Sequence, residues 1–185
     1  ILIYYGLPSP YTQAQEIYFD FIPEKDYVET GNWKFFLQPE RIVSGQYDMW
    51  LPSAGTLNPA TRFLRPAPDT TLTIPSSSVR AVSVGAYNSA YQSYSEFSGR
   101  GYTRLTEQVK PDIAAPGSDI TAPKNGGGYG VFTGTSFAAP FVAGSAALMM
   151  EWGIVRGNDP YLYGEKAKAY LHRGARKLPG FDQWP

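Results

Sequence analysis

Short runs of β-branched and aromatic residues, separated by Pro, Gly and Asn, dominate the first third of the chain, at residues 1–5, 16–21, 32–37 and 41–51. Two of them alternate, Ile17-Tyr18-Phe19-Asp20-Phe21 and Trp33-Lys34-Phe35-Phe36-Leu37. A period of two sends successive side chains to opposite faces, so the pattern predicts antiparallel strands with one wet face. Core and cross-strand packing account for the aromatics, and no spacing singles out a carbohydrate-binding surface. A connector rich in Pro and Thr follows at residues 66–78, and beyond it the pattern changes class. Residues 79–86 read as a mostly apolar strand and 119–122 as a short extended segment. Three glycines at 126–128 then precede a long helix from Ser136 to about Trp152 and a second, amphipathic helix near 165–173. Strands buried on both faces with helices between them predict a parallel α/β architecture. The expected organisation is a partial β-sandwich over residues 1–65 and an α/β part over residues 66–185.

Charge and composition narrow the function. Sixteen Lys+Arg balance 16 Asp+Glu, which removes the net field that drives adhesion to nucleic acid or acidic membranes. The longest apolar stretch, residues 137–150, is interrupted by Pro140, Gly144 and Ser145. It falls short of the roughly 20 residues of a membrane span, so no crossing is expected. With no Cys there is no disulfide, zinc–thiolate site or cysteine nucleophile, and with His172 there is a single histidine. The chain opens on Ile1 and closes on Trp184-Pro185, which reads as the interior of a larger product.

Candidate chemistry concentrates in Gly134-Thr135-Ser136-Phe137-Ala138-Ala139-Pro140-Phe141-Val142-Ala143-Gly144. Gly134 lets the backbone turn, and Ser136 then sits at the mouth of a helix whose first N–H groups lack internal partners. An oxyanion beside that hydroxyl would meet unpaired donors and the positive end of the helix dipole. Pro140, in or just after the first turn, costs little there. Small residues keep the helix thin while Phe141, Leu148, Met149 and Trp152 add bulk, so it is expected to be buried. The same Ser136 could instead be a plain helix N-cap, a post that serine often fills.

Gly134-Thr135-Ser136 with Ala139-Pro140 and Val142-Ala143-Gly144 resembles the nucleophile motif of the subtilisin-like serine proteases. Upstream, Val82-Ser83-Val84-Gly85-Ala86, Phe97-Ser98-Gly99 and the block from Lys110-Pro111-Asp112 to Pro116-Gly117 follow in that family's order. Phe97-Ser98-Gly99-Arg100-Gly101-Tyr102-Thr103-Arg104 and Glu151-Trp152-Gly153-Ile154-Val155-Arg156-Gly157-Asn158 are most similar to the clostridial Csp-type proteases. The resemblance implies the C-terminal part of a subtilisin-like parallel-sheet domain, with residues 1–65 as antiparallel strands of a jelly-roll insertion. It further implies a role in spore germination and an extracellular or spore-associated location in a bacterium.

As function it implies a serine endopeptidase acting on polypeptides, with Ser136 as nucleophile and its own N–H as an oxyanion donor. Thr135 would assist, and Gly134 and Thr73 would bind substrate. Thr73 would lie at the base of the pocket for the residue before the scissile bond, with Pro75 shaping its wall. In the family's chain order Asp and His both precede the nucleophile. His172 follows it, so it reads as a surface histidine near a helix C-terminus. The catalytic Asp and His and the oxyanion Asn are therefore expected on an N-terminal segment that stays associated, as a nick in an exposed insertion loop would leave them. Asp112 reads as a turn residue, Asp119 and Asp159 as isolated acids, and Asp159-Pro160 as a turn or helix start. No cofactor is expected; relatives often bind calcium, but no dense run of oxygen ligands marks a site. A pseudoprotease scaffold of the same fold is the alternative, and a stand-alone sandwich module would leave the Ser136 block unexplained.

Overall fold

The computed structural model describes residues 1–8, 10, 14–52 and 57–179. The chain divides into two compact units, Ile1–Leu51 and Pro52–Pro185.

In the first unit β1 (Leu2–Gly6) pairs antiparallel with β2 (Glu16–Asp20), in a register that sets Ile3 opposite Phe19 and Tyr4 opposite Tyr18. The expected strands at 32–37 and 41–51 do not form. Alternation specifies which side chains could share a face, whereas a strand exists only where another backbone accepts its ladder. The aromatics of the first of these runs still pack on β2 and the residue that follows it: Phe35 lies 5.1 Å from Phe19 of β2, and Trp33 meets Phe21 edge-on at 5.2 Å.

The second unit is built on β3 (Val84–Asn88), which lies between β4 (Ser93–Tyr94), antiparallel, and β7 (Ile113–Pro116), parallel. The loop joining β3 to β7 carries β4 and a small hairpin of β5 (Gly101–Tyr102) and β6 (Val109–Lys110). The strand expected at 79–86 thus begins later. Residues 79–81 bend away, and Val79 is exposed. After β7, β8 (Ile120–Pro123) and β9 (Tyr129–Phe132) form a hairpin across Gly126, Gly127 and Gly128, all three with positive φ. Then come α1 (Thr135–Met150), continued by a π-helical turn (Glu151–Val155), and α2 (Gly164–Gly174).

Ala138 and Val142, one turn apart, set α1 onto Ala86 of β3 and Ala115 of β7. Alanine on both sides lets helix and sheet approach closely. The helix is not buried all round as expected: Phe141, Leu148 and Trp152 are 48%, 68% and 49% exposed. Its apolar circumference is wider than the single stripe that β3 and β7 cover. Together with the π-helical turn it runs 21 residues, longer than the apolar stretch predicted and long enough by composition to cross a membrane. Its buried contacts, Ala138 and Val142, lie on the sheet. Pro140 falls in the second turn, where its missing N–H leaves the Ser136 carbonyl without the usual helical donor.

α2 carries Glu165 in its first turn and His172 and Arg173 in its last, matching the helix dipole. Asp159-Pro160 is a turn and not the helix start. Asp159 is not isolated either: its carboxylate accepts Lys166 Nζ at 2.6 Å and Tyr170 Oη at 3.0 Å, tying α2 back onto that turn.

Candidate active site

Three backbone segments converge where α1 begins. Gly117, just past the end of β7, donates to the Tyr87 carbonyl at 3.0 Å, and its own carbonyl accepts the Gly134 N–H at 2.8 Å. Phe132 of β9 stacks on Phe137 at 5.0 Å, pinning the incoming strand to the first turn of the helix. Between them the chain reverses at Gly134, whose φ of 155° and ψ of 158° suit glycine and strain any residue with a Cβ.

Gly134 is the N-cap of α1 and supplies no side-chain cap. Ser136 is therefore the second helical residue, and its N-cap reading is set aside. It is exposed, and among the described residues its hydroxyl has no hydrogen-bond partner. The Phe137 N–H bonds the Gly134 carbonyl at 3.0 Å, while the Thr135 and Ser136 N–H groups find no acceptor among the described residues. A free hydroxyl thus stands beside two unpaired donors at the positive end of a 16-residue helix.

A cleft of about 210 Å³ opens beside Thr135, and Thr73 lines it together with Leu72, Ser83 and Pro111. The structure therefore brings Thr73, Thr135 and the helix mouth into one region from positions 62 residues apart in sequence. Pro75 does not line the cleft; it lies in the following turn, where the Thr73 carbonyl accepts the Ser76 N–H at 2.8 Å. His172 is exposed in the last turn of α2.

Gly117 is the tightest point of this arrangement. A Cβ there would lie 2.6 Å from the Ala86 Cβ, 3.1 Å from the Gly134 carbonyl oxygen and 3.3 Å from the Ala138 Cβ. Gly117→Ala is expected to pry the helix mouth from the sheet, costing about 1–3 kcal/mol as other overpacked sites do. A lowered denaturation midpoint would register it; an unchanged midpoint would show that the contact is slack.

Sequence reasoning missed the electrostatic centre behind the cleft. Asp112 sits at a bend, as expected of a turn residue, but its side chain is only 6% exposed. One carboxylate oxygen accepts the Ser83 N–H at 2.7 Å, the Ser83 hydroxyl at 2.9 Å and Lys110 Nζ at 2.7 Å. The other meets Lys168 Nζ of α2 at 2.6 Å. Both lysines also donate to the Ala81 carbonyl. Burial pushes the Asp112 carboxyl up, but the donors from Lys110, Lys168 and Ser83 outweigh it and hold the group below the ordinary carboxylate range. Asp159, on the far side of α2, is also held low, by Lys166 first.

A second network supports β3. The Ala86 N–H donates to Ser98 Oγ at 2.9 Å, Ser98 Oγ to Tyr94 Oη at 2.8 Å, and Tyr94 Oη to the Gly99 carbonyl at 3.0 Å. Burial pushes the Tyr94 phenol up, against the opposing pull of Ser98 and Arg100. Among the described residues no three His, Cys, Asp or Glu side chains gather as a metal site, and the Asp159 carboxylate is already committed to Lys166 and Tyr170.

Comparison with known proteins places this geometry. The protein is similar to the structure of the Clostridium perfringens CspB protease, at 46% identity and a TM-score of 0.63 over 68% of this chain and 27% of that one. It is 45% identical to subtilisin of Bacillus pumilus over 37% of this chain and 22% of that protein. It is also 44% identical to the PII-type proteinase of Lactococcus lactis subsp. cremoris over 32% of this chain. The chain spans 3% of that last protein, so it corresponds to a minor part of these relatives. The subtilase family profile matches residues 54–183, and with the subtilisin-like α/β fold described above it follows that the chain belongs to the subtilase family.

Proposed function

We propose that this chain carries the nucleophile of a serine endopeptidase. The observation that bears most weight is the exposed, unpartnered Ser136 hydroxyl at the uncapped start of α1, beside two unpaired N–H groups. In this reading Ser136 Oγ attacks the scissile carbonyl and its proton passes to an imidazole. The carbonyl oxygen becomes an oxyanion that the Ser136 N–H receives, with the Thr135 hydroxyl assisting. The amine leaves with that proton, and water releases the acyl group from Ser136 by the same steps in reverse. Gly134 and Thr73 bind the substrate.

The imidazole is not His172, which follows the nucleophile in the chain and lies exposed on α2. The catalytic Asp and His and an oxyanion Asn are supplied by a further segment of a longer protease. The wide apolar face that α1 leaves exposed is the surface on which such a segment would pack. The same reading extends to a jelly-roll insertion over residues 1–65, a role in spore germination and an extracellular or spore-associated location.

A fluorophosphonate probe tests the proposal. With the full-length protein it is expected to form one adduct, mapped to Ser136, and none with Ser136→Ala. Absence of label on folded protein that holds both partner residues would favour the pseudoprotease scaffold.

A further inference from the structure

We infer that Asn125, at the tip of the β8–β9 hairpin, is a modification site: its side-chain amide is lost to the following backbone nitrogen, leaving aspartate and isoaspartate. The inference does not depend on the endopeptidase reading. Asn125 is followed by three glycines, and residues 125–128 are all exposed. The Gly126 φ of 81° is the left-handed value that the third residue of a type II turn requires. Two bonds hold the turn, from the Gly127 N–H to the Lys124 carbonyl at 3.2 Å and from the Lys124 N–H to the Gly128 carbonyl at 3.1 Å. Neither the Gly126 N–H nor the Asn125 side-chain amide has a partner among the described residues. A Cβ on Gly126 or Gly127 would meet nothing within 4 Å, so the tip has room to swing the side chain onto the backbone.

The two groups that ring closure needs are therefore adjacent, unpaired and unhindered. Hydroxide takes the proton from the Gly126 nitrogen, which attacks Asn125 Cγ. The new N–Cγ bond closes a succinimide ring as the Cγ–Nδ2 bond breaks, and ammonia leaves with a proton returned by water. A second water opens the ring at Cγ to give aspartate, or at the main-chain carbonyl to give isoaspartate, whose backbone is longer by a methylene. Either product adds a negative charge to a chain of zero formal charge. The other asparagines each lack a condition. Asn58 precedes Pro59, whose nitrogen has no proton to lose. Asn32 precedes Trp33, which is bulky and packed edge-on against Phe21. Asn88 Oδ1 is held by the Ala90 N–H at 2.9 Å and the Tyr91 N–H at 3.2 Å. Asn158 Nδ2 is held by the Trp152 carbonyl at 2.9 Å.

The test holds the full-length protein, folded, in mildly alkaline buffer and maps its peptides by mass over time. Isoaspartate is identified by methyl transfer from S-adenosylmethionine with an isoaspartyl methyltransferase. Conversion at Asn125 is expected to outrun that at Asn32, Asn88 and Asn158 by at least ~10-fold, and to quicken with hydroxide concentration. Because an exposed tip costs little to open, the folded rate is expected to stay within about tenfold of that in a free peptide of residues 121–130. Unfolding in urea is expected to speed Asn88 and Asn158, which lose their partners, far more than Asn125. Asn125→Gln is expected to remove the isoaspartate from that peptide. An Asn125 that keeps its amide in the folded protein while the free peptide converts, or one that lags Asn32, Asn88 or Asn158, would overturn the assignment. So would a rate indifferent to hydroxide.

Discussion

Ser136→Ala in the full-length protein is expected to lower kcat by at least ~10³-fold, since triad members act as a unit, and to leave stability within ~0.5 kcal/mol. The two halves of that result belong together. A serine that capped a helix would show the opposite signature, because losing a cap costs about 1 kcal/mol and leaves chemistry alone. In this fold Gly134 holds the cap position and the Ser136 hydroxyl has no partner among the described residues, so its removal breaks no internal bond. Alanine is also the better helix former. Peptide hydrolysis and chemical denaturation on the same preparation decide between them. A destabilised variant with normal turnover would return Ser136 to a structural role.

Asp112→Ala is expected to cost about 3–5 kcal/mol, the penalty for breaking a buried ion pair from one side. The Lys110 side chain is fully shielded and would be left facing Lys168 across the vacated position. Ser83 would lose the acceptor for both its N–H and its hydroxyl, so the wall of the cleft loosens as the fold weakens. The carboxyl also carries a pH dependence of known sign. Its folded pKa lies below the unfolded value of about 3.9. The stabilisation is therefore fully present above about pH 4 and is lost as pH falls through the lower folded value. Denaturation from pH 7 down to pH 2 is expected to show a steeper acid limb for the native protein than for Asp112→Ala. Parallel limbs and a loss under 1 kcal/mol would mean that the lysines find other partners.

The mouth of α1 was legible along the chain because its signals are local. A glycine that can adopt positive φ, a serine two residues on and a run of small residues lie within one turn and a half of helix. The glycine loop that feeds β9 is equally local, as is the amphipathic pattern of α2. Residues 32–37 and 41–51 misled for the converse reason: alternation describes a single strand, while a sheet needs a second backbone to accept its hydrogen bonds. Asp112 was hidden in the same way. Beside Lys110 and Pro111 it looks like a turn residue, and nothing nearby announces Ser83, 29 residues earlier, or Lys168 on a helix yet to come.

The amino-acid sequence alone determined that Ser136 stands just after a glycine turn at the mouth of a helix, and that His172, the single histidine, follows it in the chain. Backbone stereochemistry and chain order settle both without reference to distant residues. Only the tertiary structure decided that Gly134 rather than Ser136 holds the cap position, that Gly117 must lack a side chain, that Thr73 shares a cleft with Thr135, and that Asp112 is held by two lysines. Each depends on which segments remote in the chain come within a few ångströms. That is set by the packing of Ala86, Ala115, Ala138 and Val142, which no local pattern encodes.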